Sequence, residues 1–268
     1  MSDAPVEHVS APAEPPLRPS RSLSVGFLAM LPLLCAYEIA VASTPDASRN
    51  TSELLLGLAL RPLGEDATRG RWVLLGAGAL IAFLVAKWRR VNVLAGVSRV
   101  VLEGLLAACV LGPLMVIGVH ACSDLVTAFP VAASSSAPGP TLADSALAFG
   151  AGAWEELAFR VGLYSFVYWL AMRLAGSFGA SEVGARLAGD VVGLSLSSLA
   201  FAAAHFEGVL AFLGKGGRPF DPALFAWFTL GGALLGLLFR WRGPGVAAWT
   251  HGLYNVALWV GIDPSVIW

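Results

Sequence analysis

Long apolar runs separated by short polar segments dominate this chain. Seven of these runs suit a helix that crosses the roughly 30 Å hydrocarbon core of a bilayer. They lie at Ser22–Ser43, Trp72–Trp88, Val100–Ala128, Leu142–Ala171, Leu187–Leu213, Pro222–Trp241 and Gly245–Val260. The pattern predicts an all-α, polytopic membrane bundle of about seven transmembrane helices, within a range of six to eight.

Two segments between the runs organise the chain. Thr51–Gly64 is too short to span a membrane and too apolar for a simple loop, which favours an interfacial or re-entrant helix. Pro130–Pro140 is rich in Pro and Ser and is typical of a loop that divides three leading spans from four trailing ones. The predicted regions are a disordered tail at 1–20, leading helices at 21–141, a trailing helical core at 142–260 and a short tail at 261–268.

The first apolar run is expected to remain in the protein as a membrane span. It ends in AVAS, Ala40–Ser43, which resembles a signal-peptide cleavage site. Its length of about twenty residues favours an uncleaved span instead. A cytoplasmic N-terminus places ten Lys and Arg residues inside and six outside, Arg71 among the latter, as the positive-inside rule expects.

Composition supports a membrane protein and excludes one class of partner. Hydrophobic residues make up 57% of the chain and charged residues only 13%, with a mean hydropathy of +0.73. The net charge of -1 and the lack of a basic tract exclude an electrostatic case for nucleic acid. The lipid bilayer is therefore the first predicted partner.

Three charges lie inside the apolar run around GAWEELAFRVG, Gly152–Gly162. Ionisable groups within a bilayer are costly and usually face a bundle interior or a wet cavity. Glu156 and Arg160 are four residues apart, so they share a helical face and can neutralise each other. Glu155 points about 100° away and has no local partner. The trio is either a buried ion cluster that locks helices together or part of a functional site.

Two later runs carry polar side chains at helical spacing. Phe201 and His205 share a face of one predicted helix, and His251 and Asn255 share a face of the last. A lone histidine is typical of a hydrogen-bonded packing residue, and an imidazole and amide pair is typical of an interhelical hydrogen bond. Taken singly, each indicates packing as readily as function.

Taken together, one unpaired carboxylate, two histidines and an amide can hydrolyse a peptide bond. In a metal-free version, Glu155 takes a proton from water with help from His205. His251 and Asn255 then donate hydrogen bonds to the developing oxyanion. In a metal-dependent version, Glu155, His205 and His251 are three zinc ligands and water takes the fourth position. The chain has no HExxH motif, so local spacing does not favour zinc.

The ordered set of motifs resembles the CPBP intramembrane proteases, a family that includes type II CAAX prenyl endopeptidases and bacteriocin-processing or bacteriocin-immunity proteins. The resemblance covers roughly residues 142–260. Three family motifs occur in order: EExxxR at Glu155, Glu156 and Arg160, FxxxH at Phe201 and His205, and HxxxN at His251 and Asn255.

The resemblance implies a role for each motif residue. Glu155 corresponds to the glutamate that activates water, and His205 corresponds to its partner. His251 and Asn255 correspond to the oxyanion-binding pair. Glu156 and Arg160 correspond to residues that orient the site. Members of the family are described as either glutamate-dependent or metal-dependent, so zinc stays an open cofactor.

The predicted function is an intramembrane endopeptidase of the bacterial inner membrane. A chain rich in Ala, Leu and Gly is typical of bacteria, whereas prenylation is a eukaryotic modification. The expected substrates are therefore membrane-anchored peptides or the C-terminal sorting helices of exported proteins, as in some bacterial members of the family. Two alternatives predict different behaviour: a proton-coupled transporter would show solute-dependent proton flux without cleavage. A non-catalytic immunity or scaffold protein would tolerate Glu155→Gln but unfold when Arg160 is replaced.

Overall fold

The protein is a bundle of helices in a computed structural model that describes residues 22–44, 50–122, 141–212 and 218–261. Within these ranges a 3₁₀ segment, Arg61–Asp66, follows α2, and a π-helical segment, Glu156–Tyr164, joins α5 to α6 without a break. The described residues contain no strand, only an isolated bridge between Phe206 and Arg218. The predicted all-α class is confirmed. The α-helices are α1 Leu23–Ser43, α2 Thr51–Leu60, α3 Ala67–Trp88, α4 Val93–Cys122, α5 Leu142–Glu155, α6 Ser165–Ser177, α7 Glu182–Ala203, α8 Glu207–Phe212, α9 Pro222–Arg242 and α10 Pro244–Gly261.

Five helices of the described residues are long and apolar enough to cross a membrane. The chain is therefore a multi-pass membrane protein, as predicted. The two other predicted spans correspond to the continuous helix from α5 to α6 and to α10, so the total of seven stays a prediction. The five spans are Leu23–Ser43, Thr68–Trp88, Val93–Met115, Glu182–Ala203 and Pro222–Arg242.

One predicted boundary is wrong, because the run Leu187–Leu213 is not a single helix. Helix α7 ends at Ala203, and the chain turns before α8 begins at Glu207. In a continuing helix the His205 backbone N–H would donate to the Phe201 carbonyl. Here the His205 ring bonds that carbonyl, and the backbone N–H donates to the Ala202 carbonyl instead. His205 therefore lies in a turn at the end of α7.

Of the predicted segments between and before the spans, the structure describes the short helix after the first span but not the tail or the Pro- and Ser-rich loop. A short helix does follow the first span, since α2 covers Thr51–Leu60. The tail at 1–20 and the loop at Pro130–Pro140 lie outside the described residues.

Helix α1 lies at the centre of the bundle, where it packs against α3, α4, α5 and α10. It is apolar on every side, as a helix surrounded by other helices should be. Met30, Leu34 and Tyr37 are fully buried along it. The same helix carries Glu38, which is also buried and is the first of several polar groups held inside the bundle.

Close helix approach positions the last helix against α5. A Cβ on Gly252 of α10 would lie 2.7 Å from the Phe149 carbonyl oxygen of α5, and one on Gly152 would lie 2.7 Å from the Gly252 nitrogen. Only glycine allows two helix backbones to come this near. The chain enters α10 through Gly243, whose φ of +92° favours glycine. Residues of α5 and α10 next to these glycines therefore face each other directly.

Candidate active site

His251 lies between the two adjacent glutamates. Its Nδ1 is 2.9 Å from Glu156 Oε1, and its Nε2 is 3.3 Å from Glu155 Oε2. The side chains of all three residues are buried. Glu155 ends α5 and Glu156 begins the π-helical segment, whose wider turns are common at functional sites. One imidazole therefore meets both carboxylates, each through a different ring nitrogen.

Arg160 neutralises Glu156 from the opposite side. Its Nε is 3.5 Å from Glu156 Oε2, and both side chains are completely buried. The guanidinium also donates to the Gly232 carbonyl on α9 at 3.0 Å. It lies 4.7 Å from the centre of the Phe201 ring, within cation–π range. Glu156 and Arg160 therefore form the pair that their spacing predicts, and the pair ties α9 to the site.

His205 approaches the site from the turn after α7. Its Nδ1 is 2.8 Å from the Phe201 carbonyl, which can only accept, so Nδ1 carries a hydrogen and Nε2 is left for other partners. The ring stacks on Phe228 with centroids 4.3 Å apart. Its imidazole also interacts electrostatically with Glu155 and His251.

Phe201 holds the two histidines on either side of one ring. Its centroid is 4.8 Å from that of His205 and 5.6 Å from that of His251, both in edge-to-face contact. With Arg160 over its face, this ring contacts three of the predicted site residues. The phenylalanine of the FxxxH motif thus sets the spacing between the imidazoles, a role that its sequence position alone did not indicate.

Asn255 lies one turn beyond His251 on α10. Its Nδ2 donates to the Ala148 carbonyl of α5 at 3.2 Å, and the side chain is buried. The amide has a second N–H on the same nitrogen, so this bond does not exhaust its donors. Asn255 fixes α10 against α5 here, and its predicted oxyanion role stays a prediction.

Sequence reasoning missed Asn50, which contacts Glu155 directly. The Asn50 Nδ2 donates to Glu155 Oε1 at 2.5 Å, and both residues are buried. The only signal in the sequence was a helix-capping pattern, because Asn50 precedes α2 and Glu53 follows three residues later. That pattern predicts a helix start and nothing about a partner 105 residues away.

A second buried polar group lies behind Asn50. Arg71 pairs with Glu38 at 2.7 Å and with Glu53, and all three are buried. Tyr37 donates to Glu53 at 2.7 Å and accepts from the Asn50 backbone N–H at 3.2 Å. Arg71, which the predicted orientation puts on the outer side, belongs to α3 and binds two carboxylates within the bundle, and its side of the membrane stays a prediction.

Glu155, His205 and His251 do not fit a three-ligand zinc site as they are placed. Among the described residues, no group of three His, Cys, Asp or Glu side chains is arranged to hold a metal ion. The Nε2 of His251 already faces a Glu155 oxygen at 3.3 Å, and the Nδ1 contacts of the two histidines leave Nε2 as the nitrogen that a metal would need on each. The chemistry derived from this geometry therefore uses no metal, and zinc dependence stays a prediction.

Comparison with known proteins gives a family match in the trailing part of the chain. The family model described as Type II CAAX prenyl endopeptidase Rce1-like matches residues 138–257. No curated protein and no solved structure matches the chain. The matched residues contain all six predicted site residues, Glu155, Glu156, Arg160, His205, His251 and Asn255. Residues 138–257 therefore match the Rce1-like family model over the stretch that carries the three motifs, in agreement with the resemblance seen in them, and that family implies a membrane protease of the CAAX type.

Proposed function

We propose that the protein is an intramembrane endopeptidase that cleaves a membrane-anchored protein or peptide, with Glu155 as the base that activates water. The observation that carries the proposal is the meeting of Glu155 with His251 inside the bundle, at 3.3 Å. A buried carboxylate beside an imidazole is a set that general acid–base catalysis uses. The match to a protease family supports the same reading.

The proposed reaction adds water across the peptide bond. Glu155 accepts a proton from water while the water oxygen bonds to the substrate carbonyl carbon. The second N–H of Asn255 stabilises the oxyanion that forms on the carbonyl oxygen. The Nε2–H of His251, which faces the Glu155 carboxylate at rest, donates to the same oxyanion once Glu155 has taken the proton. The C–N bond then breaks as Glu155 returns the proton to the leaving nitrogen. His205, whose Nδ1 is held by the Phe201 carbonyl, assists these proton transfers through its Nε2.

The proposed substrate is a polypeptide held in or at the bilayer, and the proposed location is the bacterial inner membrane. Many apolar side chains face outwards from the bundle, as they do in helices surrounded by lipid. A substrate therefore reaches the buried carboxylate from the membrane phase or along its surface. Exported or lipid-anchored proteins with an apolar segment have this property.

Comparative membrane proteomics tests the proposal. Cells that express wild type and cells that express Glu155→Gln are compared for an apolar-anchored precursor that accumulates only in the variant. The purified proteins are then assayed on that precursor in liposomes. General-base catalysis supplies about 10²–10⁴-fold, so we expect Glu155→Gln to lower the cleavage rate by about 100-fold or more.

Glu182→Gln is the matched control. Glu182 is an exposed glutamate at the start of α7, with 78% of its side chain accessible, so its replacement should leave cleavage unchanged. Cleavage by Glu155→Gln at the wild-type rate would refute the role of Glu155. Solute-dependent proton flux without any cleavage would refute the protease assignment.

A further inference from the structure

The start of α2 connects two parts of the site that come from distant segments. Asn50 precedes α2 and donates to Glu155 Oε1 at 2.5 Å. The next residue, Thr51, donates from its hydroxyl to the Ala204 carbonyl at 2.9 Å. Ala204 directly precedes His205. Two successive residues of the leading region therefore hold the glutamate and the turn that carries the histidine.

The orientation of the Asn50 amide follows from its other partner. Its Oδ1 accepts from the backbone N–H of Ser52 at 2.8 Å. A backbone N–H can only donate, so the atom facing Ser52 must be oxygen. The nitrogen is therefore the atom that faces Glu155, where it donates to a carboxylate that accepts. The same amide caps α2 and binds Glu155.

Buried groups behind Asn50 restrict its movement. Its backbone N–H donates to the Tyr37 hydroxyl at 3.2 Å, and that hydroxyl donates to Glu53 at 2.7 Å. Glu53 in turn pairs with Arg71, which also binds Glu38. Helices α1, α2 and α3 thus contribute one connected polar network that ends on the Glu155 carboxylate.

We propose that Asn50 is a positioning residue for Glu155, held by the α1–α3 network so that one carboxylate oxygen is occupied and the other faces His251. This inference rests on the proposed function, because it concerns the same carboxylate. By binding Oε1, Asn50 fixes the rotation of the carboxyl group and leaves Oε2 as the oxygen opposite His251 Nε2. The leading helices, which lie outside the family match, thereby contribute to the chemistry.

The charged and polar groups around the carboxylate come from several elements. His251 on α10 faces Oε2, and Glu156 lies on the other side of that imidazole. His205 interacts with Glu155 from the turn after α7. Asn50 is the partner that supplies a neutral donor to Oε1. Its removal cannot be offset by movement of His251, which already lies between two carboxylates.

Two substitutions at Asn50 separate positioning from helix capping. Asn50→Asp and Asn50→Ser both keep an oxygen that can cap α2, yet neither keeps an N–H that reaches Glu155. Loss of a hydrogen bond that orients a catalytic group typically costs about 10–100-fold. We expect kcat to fall by about that factor in both variants, with KM changed less than about threefold. Asn50→Asp should be the slower, because it adds a negative charge beside Glu155.

Asn92 provides the matched control. It is an exposed asparagine that caps α4 through a bond from the Ala95 N–H to its Oδ1 at 3.1 Å, and it does not contact the site. Asn92→Asp and Asn92→Ser should keep wild-type kcat. The folded fraction of each variant is measured by size-exclusion chromatography and thermal unfolding, and kcat is expressed per folded molecule.

The result separates this inference from the proposed function. If Glu155→Gln abolishes cleavage while both Asn50 variants keep wild-type kcat, the positioning role is wrong and the base is still Glu155. If the Asn50 variants lose activity only in proportion to their folded fraction, Asn50 is a helix cap and the inference fails. If Glu155→Gln cleaves normally, the proposed function and this inference fail together.

Discussion

Replacing Arg160 tests how the buried charges are held. The guanidinium is completely buried, lies 3.5 Å from Glu156 Oε2 and donates to the Gly232 carbonyl. Arg160→Met keeps much of the volume of the side chain and removes its charge. Glu156 is then left as a buried carboxylate whose remaining neighbour is His251. A buried charge without its partner is strongly destabilising.

The size of the effect follows from the geometry. At 3.5 Å and an effective dielectric constant of about 20, opposite unit charges attract by about 5 kcal/mol. Removal of one partner of a buried pair typically costs about 3–5 kcal/mol. His251 offsets part of the loss because it can hold a proton towards Glu156. We therefore expect Arg160→Met to lower the free energy of unfolding by about 3–5 kcal/mol.

The double variant Glu156→Gln/Arg160→Met should be more stable than Arg160→Met alone. It removes the stranded carboxylate together with its partner, and replacement of a whole buried pair is often neutral. Within the part of the chain that the structure describes, the Nε and Nη1 atoms of Arg160 have no hydrogen-bond partner, so the intact pair is already incompletely satisfied. Unfolding is followed by circular dichroism in mixed micelles as denaturing detergent is added.

Arg186 is the matched control for this prediction. Glu182 and Arg186 repeat the spacing of Glu156 and Arg160, but their side chains are 78% and 61% exposed. Arg186→Met should therefore cost no more than about 0.5 kcal/mol. Equal losses at Arg160 and Arg186 would refute the argument from burial, and so would a double variant as unstable as Arg160→Met.

Two smaller changes test the packing of α10. Gly252→Ala should lower the free energy of unfolding by about 1–3 kcal/mol and reduce cleavage, since the added Cβ would lie 2.7 Å from the Phe149 carbonyl; Gly76→Ala, which has nothing within 4 Å, should be tolerated in the same detergent titration. Trp249→Phe should cost about 0.5–1.5 kcal/mol, because it removes the 2.8 Å bond from Nε1 to the Ala29 carbonyl; unchanged unfolding would show that this bond contributes nothing.

The helices and one ion pair of the site were predictable from local patterns. Apolar runs locate membrane helices because the bilayer requires a minimum length of apolar residues. The spacing of Glu156 and Arg160 predicts their contact because residues four apart lie on one face, and the two are 3.5 Å apart. Such signals need only the periodicity of the helix itself.

Contacts between distant segments were not predictable in the same way. Asn50 has the sequence signature of a helix cap, and its amide indeed caps α2, so nothing local distinguishes its second role. Arg71 directly precedes the apolar run Trp72–Trp88, and nothing in that pattern indicates that Glu38 and Glu53 hold it inside the bundle. His205 was placed within a helix because its neighbours are apolar. In the structure α7 ends before His205, where the imidazole instead of the backbone amide bonds the Phe201 carbonyl.

The buried charges of the site balance only when four groups are counted together. For each nitrogen of His251 to meet a carboxylate oxygen favourably, a proton must lie between the two atoms. An imidazolium between two carboxylates carries one net negative charge, and so does a neutral imidazole between one carboxylate and one protonated carboxyl. Arg160 supplies the compensating positive charge. A proton can therefore move between Glu155 and His251 without changing the net charge inside the bundle, which a base in a membrane interior requires.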